Sequence, residues 1–213
     1  MTMHIIKYAK DFMLAVLAGI AISLGCIVFL SISNKVAGSV LFATGLLTIL
    51  NFNLNLFTGK APYMCNNKLS YSIFVLIVWL GNFAGAWVTS NAVRLTSVHS
   101  KIIDQCTALA VSKSADSLSS LFNLGIFCGM LMFIAVDVFN KNKHTNSISA
   151  VILTIFCVSA FILAGFEHSI ADMFYFMLVL SFKDYIVPLL VISIGNIIGG
   201  NIFCYSYNVL RDL

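Results

Sequence analysis

The chain has 213 residues, of which 60% are hydrophobic and only 9% are charged. Soluble domains carry about 25% charged residues, so this composition excludes an ordinary soluble protein and indicates an integral membrane protein. The net charge of +4 is small and spread over the connections, which gives no reason to expect a nucleic-acid partner.

The apolar runs predict an all-α membrane fold in a single domain that covers residues 1–213. A helix needs about 20 apolar residues to cross a bilayer, and the length leaves room for about six such helices with short connections. The first span covers residues 12–31. It lacks a small-residue cleavage site, so we expect a retained helix rather than a signal peptide.

The second apolar run is predicted to break before it has crossed the membrane. Residues 37–50 are apolar, but three asparagines, a glycine and a proline follow within residues 51–62. These residue types disfavour an uninterrupted helix. The third span covers residues 71–93, a polar connection covers 94–120, and the fourth span covers 121–139.

The fifth span is predicted to contain the functional stretch. Residues 148–180 would form one apolar segment if the sequence GFEHSIADM did not stand at residues 165–173, with Glu167, His168 and Asp172 inside it. Ionisable groups at mid-membrane cost roughly 2.5–3.5 kcal/mol each and normally face a protein interior or a water-filled path. Broken backbone at that depth is tolerated where it is buried in protein or lines a cavity. We therefore predict that this stretch is the selectivity region of a channel or transporter.

An internal repeat relates the two halves of the chain. The motif Gly-Asn-x-x-Gly occurs in the third span at residues 81–85 and again at 195–199 in the sixth span, which covers residues 185–207. The break at residues 56–59 has its counterpart at 165–169. Three spans in each half make the halves inverted, and facing breaks would then meet near the midplane of the membrane.

The repeat predicts halves of residues 12–93 and 118–208, with second and fifth helices broken and Gly19 of the first span aligned with Gly125 of the fourth. Small residues at helical spacing also simply let helices approach closely. The prediction therefore depends on the whole set of matches.

The six cysteines form no CxxC pair, and most lie inside apolar spans, where a thiol behaves as a small hydrophobe. We therefore predict no metal site, no disulfide framework and no cofactor.

The twelve Lys and Arg residues divide seven to five, with seven on the side of the termini. This excess predicts that both termini lie in the cytoplasm and that the protein is a multi-pass protein of the cell membrane.

Four motifs together resemble the formate/nitrite transporter family. They are LFTG at residues 56–59, WLGNFAGA at 79–86, GFEHSIADM at 165–173 and GNIIGG at 195–200. The third is close to the most specific motif of that family, and the match extends from the first helix to the last.

The resemblance implies an aquaporin-like fold of six helices, assembled as a homopentamer in which each protomer has its own pore. It implies transport of small monovalent anions, namely formate, nitrite and in some members hydrosulfide or lactate, and no enzymatic activity.

The same resemblance implies the residues of the substrate path. These are the central histidine His168, its neighbour Glu167, the loop threonine Thr58, the sixth-helix asparagine Asn196 and Lys113. The implied apolar constrictions are Phe42, Leu46, Leu56 and Phe57 toward the cytoplasm and centre, and Phe161 toward the outside.

The sequence also departs from the family pattern. Asp172 stands where the family usually has asparagine, and Asn55 where an acidic residue is frequent. Lys60 and Gly129 also occupy positions that usually hold small polar residues or asparagine. These departures bear on the substrate more than on the fold.

The residues support a mechanism in which three devices lower the cost of moving an anion through an apolar constriction. Broken helices aim N-terminal N–H groups at the anion, and Lys113 adds a positive charge. His168, oriented by Glu167 or Thr58, supplies a proton or a strong hydrogen bond. This hypothesis predicts weak-acid substrates and a flux that rises as the pH falls.

Three other interpretations compete with this one. A neutral-solute channel of aquaporin type would need Asn-Pro-Ala caps, and neither proline follows an asparagine. A membrane-embedded hydrolase could use Ser169 or His168, but no second histidine lies inside a predicted span. A purely structural subunit would leave two polar breaks without a purpose. The sequence leaves open which anion is preferred and whether transport is passive or proton-coupled.

Overall fold

The computed structural model describes residues 2–145 and 147–211, with side chains from residue 6 onward. The helices follow in the order α1 Thr2–Leu30, α2 Lys35–Asn51, α3 Phe57–Lys60, a 3-10 helix Ala61–Asn66, α4 Leu69–Arg94, α5 Val98–Ser114, α6 Leu118–Asn142, α7 Ile148–Ala164, α8 Ser169–Val179 and α9 Phe182–Arg211. The predicted all-α class is confirmed.

Four helices, α1, α4, α6 and α9, are long and apolar enough to cross a membrane. Helices α7 and α8 meet the same criterion together, as a pair bent by 48° at the stretch that separates them. Helix α2 has only 17 residues and falls short alone. The described residues therefore hold four continuous spans, or five with the bent pair, and the count of six remains a prediction.

Both predicted breaks are confirmed. Helix α2 ends at Asn51 and α3 begins at Phe57, while α7 ends at Ala164 and α8 begins at Ser169. Gly165 terminates α7 with a φ of 73°, a left-handed conformation that glycine adopts without the steric penalty of a Cβ. This residue turns the chain out of α7 just before the functional stretch.

The polar connection predicted for residues 94–120 is wrong, because it contains the helix α5. Ile102, Cys106 and Ala110 recur every four residues along α5 and are fully buried, so the helix has one apolar face. The polar residues between them hid this periodicity in the sequence. The helix matters because its last turn carries Lys113.

Close glycine contacts hold the long helices together in two pairs, α1 against α4 and α6 against α9. A Cβ at Gly85 of α4 would collide with the carbonyl oxygen of Val16, and a Cβ at Gly199 of α9 would collide with that of Ile126. Only a hydrogen at these positions permits the backbones to approach so closely.

Helix α8 lies at the centre of the fold. All residues from Ser169 to Leu178 are buried, and α8 packs against α4, α5, α9 and α1. The guanidinium of Arg94 donates to the carbonyl oxygens of Met177 and Leu178, at 2.7 and 3.1 Å, which satisfies carbonyls that the helix end leaves open. The fold therefore fixes α8 at its C-terminal end and presents its N-terminal end to the break.

Candidate functional site

Asn82 of α4 holds the first break in place. Its Oδ1 accepts from the backbone N–H of Phe57 at 2.8 Å. Its Nδ2 donates to the carbonyl oxygens of Ala15 and Asn55, at 2.7 and 2.9 Å. The side chain is fully buried, so each of these bonds satisfies a polar group that water does not reach.

Asn196 of α9 holds the second break by the same three bonds. Its Oδ1 accepts from the N–H of Ser169 at 3.0 Å, and its Nδ2 donates to the carbonyl oxygens of Gly125 and Glu167, each at 2.8 Å. Phe57 and Asn55 bond Asn82 as Ser169 and Glu167 bond Asn196. Leu56, which lies between the first two, is therefore the counterpart of His168. Sequence analysis placed Asn196 in the substrate path; the structure shows a side chain bonded to backbone on every side.

The helix register of the predicted repeat is wrong by one turn. Gly19 packs on the backbone of Asn82, and the residue that packs on the backbone of Asn196 is Gly129. Gly125, the predicted partner of Gly19, instead corresponds to Ala15, since the carbonyl oxygen of each accepts a hydrogen bond from the Nδ2 of its asparagine. Because Gly125 and Gly129 lie one helical turn apart, the sequence alone aligns either of them with Gly19 equally well.

His168 forms the N-cap of α8 and is 2% exposed. Its Nδ1 accepts from the backbone N–H of Ala171 at 3.2 Å, and its Nε2 lies 2.9 Å from the Oγ1 of Thr58. A ring nitrogen that accepts a hydrogen bond carries no proton. The geometry therefore corresponds to a neutral ring whose Nε2–H donates to the Thr58 hydroxyl.

Two phenylalanines pack beside this histidine. The ring of Phe161 stacks on the His168 ring with centroids 5.3 Å apart and an interplanar angle of 15°. Phe42 meets Phe161 edge to face at 6.1 Å. All three side chains line one cavity of about 550 Å³, here called the larger cavity, which reaches from His168 to the exposed Asp116.

A cluster of charged side chains forms the other wall of the larger cavity. Lys113 Nζ contacts the Glu167 carboxylate and lies 3.2 Å from Asp172 Oδ1. These three residues are named the Lys113 cluster. The Glu167 carboxylate therefore binds Lys113, and the side chain bonded to the His168 ring is Thr58. Sequence analysis missed the role of Asp172, although its acidic side chain at mid-span was a visible signal.

A second cavity, of about 50 Å³, lies beyond Thr58 toward the ends of α2 and α6. Leu46, Leu56 and Lys60 are among its lining residues, and it is named the smaller cavity. Thr58 is buried and lines neither cavity. It bonds His168, which lines the larger cavity, and directly precedes Gly59, which lines the smaller one. Phe57 is buried with its N–H on Asn82.

Three N–H groups at the helix N-termini are occupied by the protein itself, and the prediction that these N-termini face an anion stays a prediction. The N–H groups of Phe57, Ser169 and Ala171 all donate to side chains of the protein. Among the described residues there is also no group of three His, Cys, Asp or Glu side chains that could hold a metal ion. The site thus consists of a buried polar pair, Thr58 and His168, and a charged cluster that lines the larger cavity together with His168.

Comparison with known proteins places these features in a family. The family model described as formate/nitrite transporter matches residues 2–210. The uncharacterized transporter YwcJ of Bacillus subtilis (strain 168) is 29% identical over 186 residues, which cover 77% of this chain and 70% of that protein. The probable formate transporter of Methanothermobacter thermautotrophicus is 26% identical over 211 residues, which cover 84% and 76%.

A solved structure described as a pentameric formate channel with formate bound superposes with a TM-score of 0.78 at 21% identity, covering 97% of this chain and 98% of that one. At this identity the likeness shows a shared fold.

Proposed function

The chain belongs to the formate/nitrite transporter family, and on that basis we propose that it conducts small anions of weak acids, namely formate, nitrite and hydrosulfide, across the cell membrane. Membership confirms the resemblance carried by the four sequence motifs, and the family is one of transporters and channels rather than enzymes. The assignment of substrates is our proposal.

The observation that carries this proposal is the buried bonded pair of Thr58 and His168, in which His168 lines the larger cavity and Thr58 directly precedes Gly59 of the smaller one. The Nε2–H of His168 donates to Thr58 Oγ1, which leaves the hydroxyl proton of Thr58 free to donate to a passing substrate. Leu46 and Leu56 line the smaller cavity and form an apolar wall there. A bare anion pays a large desolvation cost at such an apolar wall, so a donor just before it lowers the barrier.

The charges around the larger cavity favour passage as a neutral acid. Lys113 is in contact with two carboxylates, so its cluster carries no net positive charge to hold an anion. The N–H groups of Ser169 and Ala171 are engaged. A conjugate base that can take up a proton avoids the desolvation cost of an ion, whereas chloride, the anion of a strong acid, cannot.

We further propose six spans in two inverted halves, residues 12–93 and 118–208, with an aquaporin-like arrangement. In this arrangement α2, α3 and the 3-10 helix form the second span, and α7 with α8 forms the fifth. The matching bonds of Asn82 and Asn196 support the repeat. The pentameric description of the superposed channel supports a homopentamer in a lipid bilayer, and the Lys and Arg distribution supports cytoplasmic termini.

The test is flux into proteoliposomes of formate, nitrite, hydrosulfide and chloride, compared between about pH 5 and 8. We expect flux of the three weak-acid anions that increases as the pH falls, and no flux of chloride. Their relative rates would identify the preferred substrate.

Equal chloride flux at every pH would show a simple electrostatic pore and contradict the proposal. Flux of urea or glycerol without flux of any anion would show a neutral-solute channel instead. Empty liposomes and liposomes with an unrelated membrane protein serve as controls for the passive leak of the acids themselves.

A further inference from the structure

The Lys113 cluster has more acid than base. One ammonium contacts two carboxyl groups, and the side chains of Glu167 and Asp172 are only 4% and 1% exposed. The two carboxyl groups thus share one ammonium. If both carboxyl groups were ionised, the cluster would carry one uncompensated negative charge in a buried site, which is strongly unfavourable.

The cation beside Asp172 is Lys113 of α5. The other ionisable side chains that interact with Asp172 are Cys26 from α1, Cys128 from α6, Tyr175 from α8 and Glu167 from the break. The backbone N–H of Asp172 donates to the carbonyl oxygen of His168. The His168 ring is neutral in the observed geometry, because its Nδ1 accepts from Ala171. Among the described residues, Lys113 is the one Lys or Arg that lines the larger cavity.

A second observation concerns one oxygen of Asp172. Its Oδ1 binds Lys113, whereas its Oδ2 is buried without a hydrogen-bond partner, and Asp172 lines the larger cavity. A buried carboxylate oxygen without a donor is unfavourable. A proton on this oxygen removes the unpaired charge and turns the oxygen into a donor.

We propose that Glu167 and Asp172 hold one exchangeable proton between them, and that this carboxyl proton is the one passed to a weak-acid anion in the larger cavity. The proposal rests on the transport function proposed above and assigns its proton donor. Two carboxyl groups that share one site and one proton are a known arrangement for acid–base work.

His168 is unsuited to that step. Its Nδ1 has no proton to give, and loss of the Nε2 proton would leave an anionic ring. A doubly protonated ring would lose the hydrogen bond from Ala171 that caps α8. His168 therefore donates a hydrogen bond to Thr58 and keeps its proton, while the acid pair supplies the mobile one.

The proton balance of the step is simple. The O–H bond of the carboxyl group breaks, a new bond forms between that proton and the substrate anion, and the cluster becomes singly negative. The neutral acid passes Thr58 and the apolar wall beyond. A proton from water in the larger cavity then restores the carboxyl group, so that one proton and one anion are moved together.

The proton can be detected directly by infrared difference spectroscopy on the full-length protein in proteoliposomes. Between about pH 5 and 8, we expect the carbonyl stretch of a protonated carboxyl group to be lost as the pH rises. Asp172→Asn should remove this band, because Lys113 and Glu167 then form a neutral pair that needs no proton. Glu167→Gln should remove it for the same reason.

The matched control is Asp104→Asn, the same substitution at an exposed carboxylate of α5 that does not line the larger cavity, and the band should persist in this variant. Formate flux and proton uptake are measured in the same vesicles. We expect Asp172→Asn to lose most of the flux gained at low pH and Asp104→Asn to keep it. Retained folding is checked by size-exclusion chromatography.

The outcomes separate the two proposals. A wild-type protein that passes no formate or nitrite overturns the function and the transfer step, while the infrared band still decides whether the acid pair holds a proton. A wild-type protein that transports formate, with Asp172→Asn unchanged in flux and pH dependence, overturns the inference and leaves the function intact. A band that survives in Asp172→Asn places the proton elsewhere and also overturns it.

Discussion

Thr58 and His168 stand 110 residues apart in the sequence, yet Thr58 Oγ1 and His168 Nε2 lie 2.9 Å apart. Each stands beside a different break in the helices, so this bond joins the two breaks. Nδ1 of the same ring caps α8. The histidine therefore has two roles, the cap on α8 and the hydrogen bond to Thr58, and a substitution can remove one without the other.

Replacing Thr58 by valine removes the hydroxyl and leaves the buried Nε2–H of His168 without an acceptor. An unsatisfied buried donor costs about 1–3 kcal/mol, and the donor offered to the substrate is lost as well. We expect Thr58→Val to lower both the free energy of unfolding and formate flux, and Thr58→Ser to retain both. Denaturant unfolding in micelles and proteoliposome flux measure the two effects.

The matched control for this prediction is Thr44→Val. Thr44 is exposed on α2, and its hydroxyl donates to the carbonyl oxygen of Leu41 within the same helix. This variant should leave flux unchanged. If Thr58→Val transported formate as fast as the wild type, the Thr58 hydroxyl would have no part in transport.

His168→Asn and His168→Leu should separate capping from transport. Asparagine is a good N-cap and can accept from the N–H of Ala171, so α8 stays capped, whereas leucine cannot accept and costs about 0.5–2 kcal/mol. Neither side chain reproduces the Nε2–H bond to Thr58. We therefore expect both variants to lose weak-acid flux but only His168→Leu to lose stability, as measured by thermal unfolding and flux.

Equal destabilisation by the two substitutions would show that the cap contributes nothing. Wild-type flux and pH dependence in His168→Asn would make the ring a structural cap alone.

The sequence predicted both breaks and the stretch from Gly165 to Met173, because charged, glycine and asparagine residues contrast sharply with the apolar runs around them. It did not predict α5, because few apolar residues form the buried face of this helix. It also did not predict that α5 brings Lys113 into contact with Glu167 and Asp172. That contact depends on tertiary packing, which local sequence patterns do not reveal.

The role of Asn196 shows a further limit of the sequence. The motif that contains it identified an important residue, but motif spacing does not reveal which atoms an amide will bond. The structure shows three bonds to backbone, so the residue fixes the break. Likewise, alignment of small residues cannot choose between registers one helical turn apart, as Gly125 and Gly129 demonstrate.

Asn82→Ala and Asn196→Ala should each be strongly destabilising. Each substitution removes three buried hydrogen bonds, which contribute about 0.5–1.5 kcal/mol apiece, and leaves backbone groups at a break without partners. We expect a loss of about 2–4 kcal/mol in each variant. The midpoint of denaturant unfolding reports the loss.

Asn123→Ala is the control, since Asn123 is exposed and bonds only the carbonyl oxygen of Ser119. It should change stability by less than about 0.5 kcal/mol. A loss at Asn82 much smaller than at Asn196 would show that the two breaks are not held in the same way, and would weaken the proposed repeat.

Phe161→Leu should open the apolar wall beside His168. The Phe161 ring stacks on the histidine and meets Phe42 edge to face, so it lays apolar surface against His168 in the larger cavity. Leucine preserves hydrophobicity while removing the ring, and narrow apolar constrictions act as barriers through dewetting. We expect faster formate flux and a measurable chloride flux in proteoliposomes.

The control is Phe156→Leu, on the same helix α7 but with a side chain that is 63% exposed; its selectivity should match the wild type. Continued exclusion of chloride by Phe161→Leu would place the barrier at the next apolar layer, where Leu46 and Leu56 line the smaller cavity. Leu56 is the counterpart of His168 in the first half of the chain. A barrier at Leu56 would mean that the two breaks have different roles: the break at His168 donates hydrogen bonds, and the break at Leu56 excludes ions.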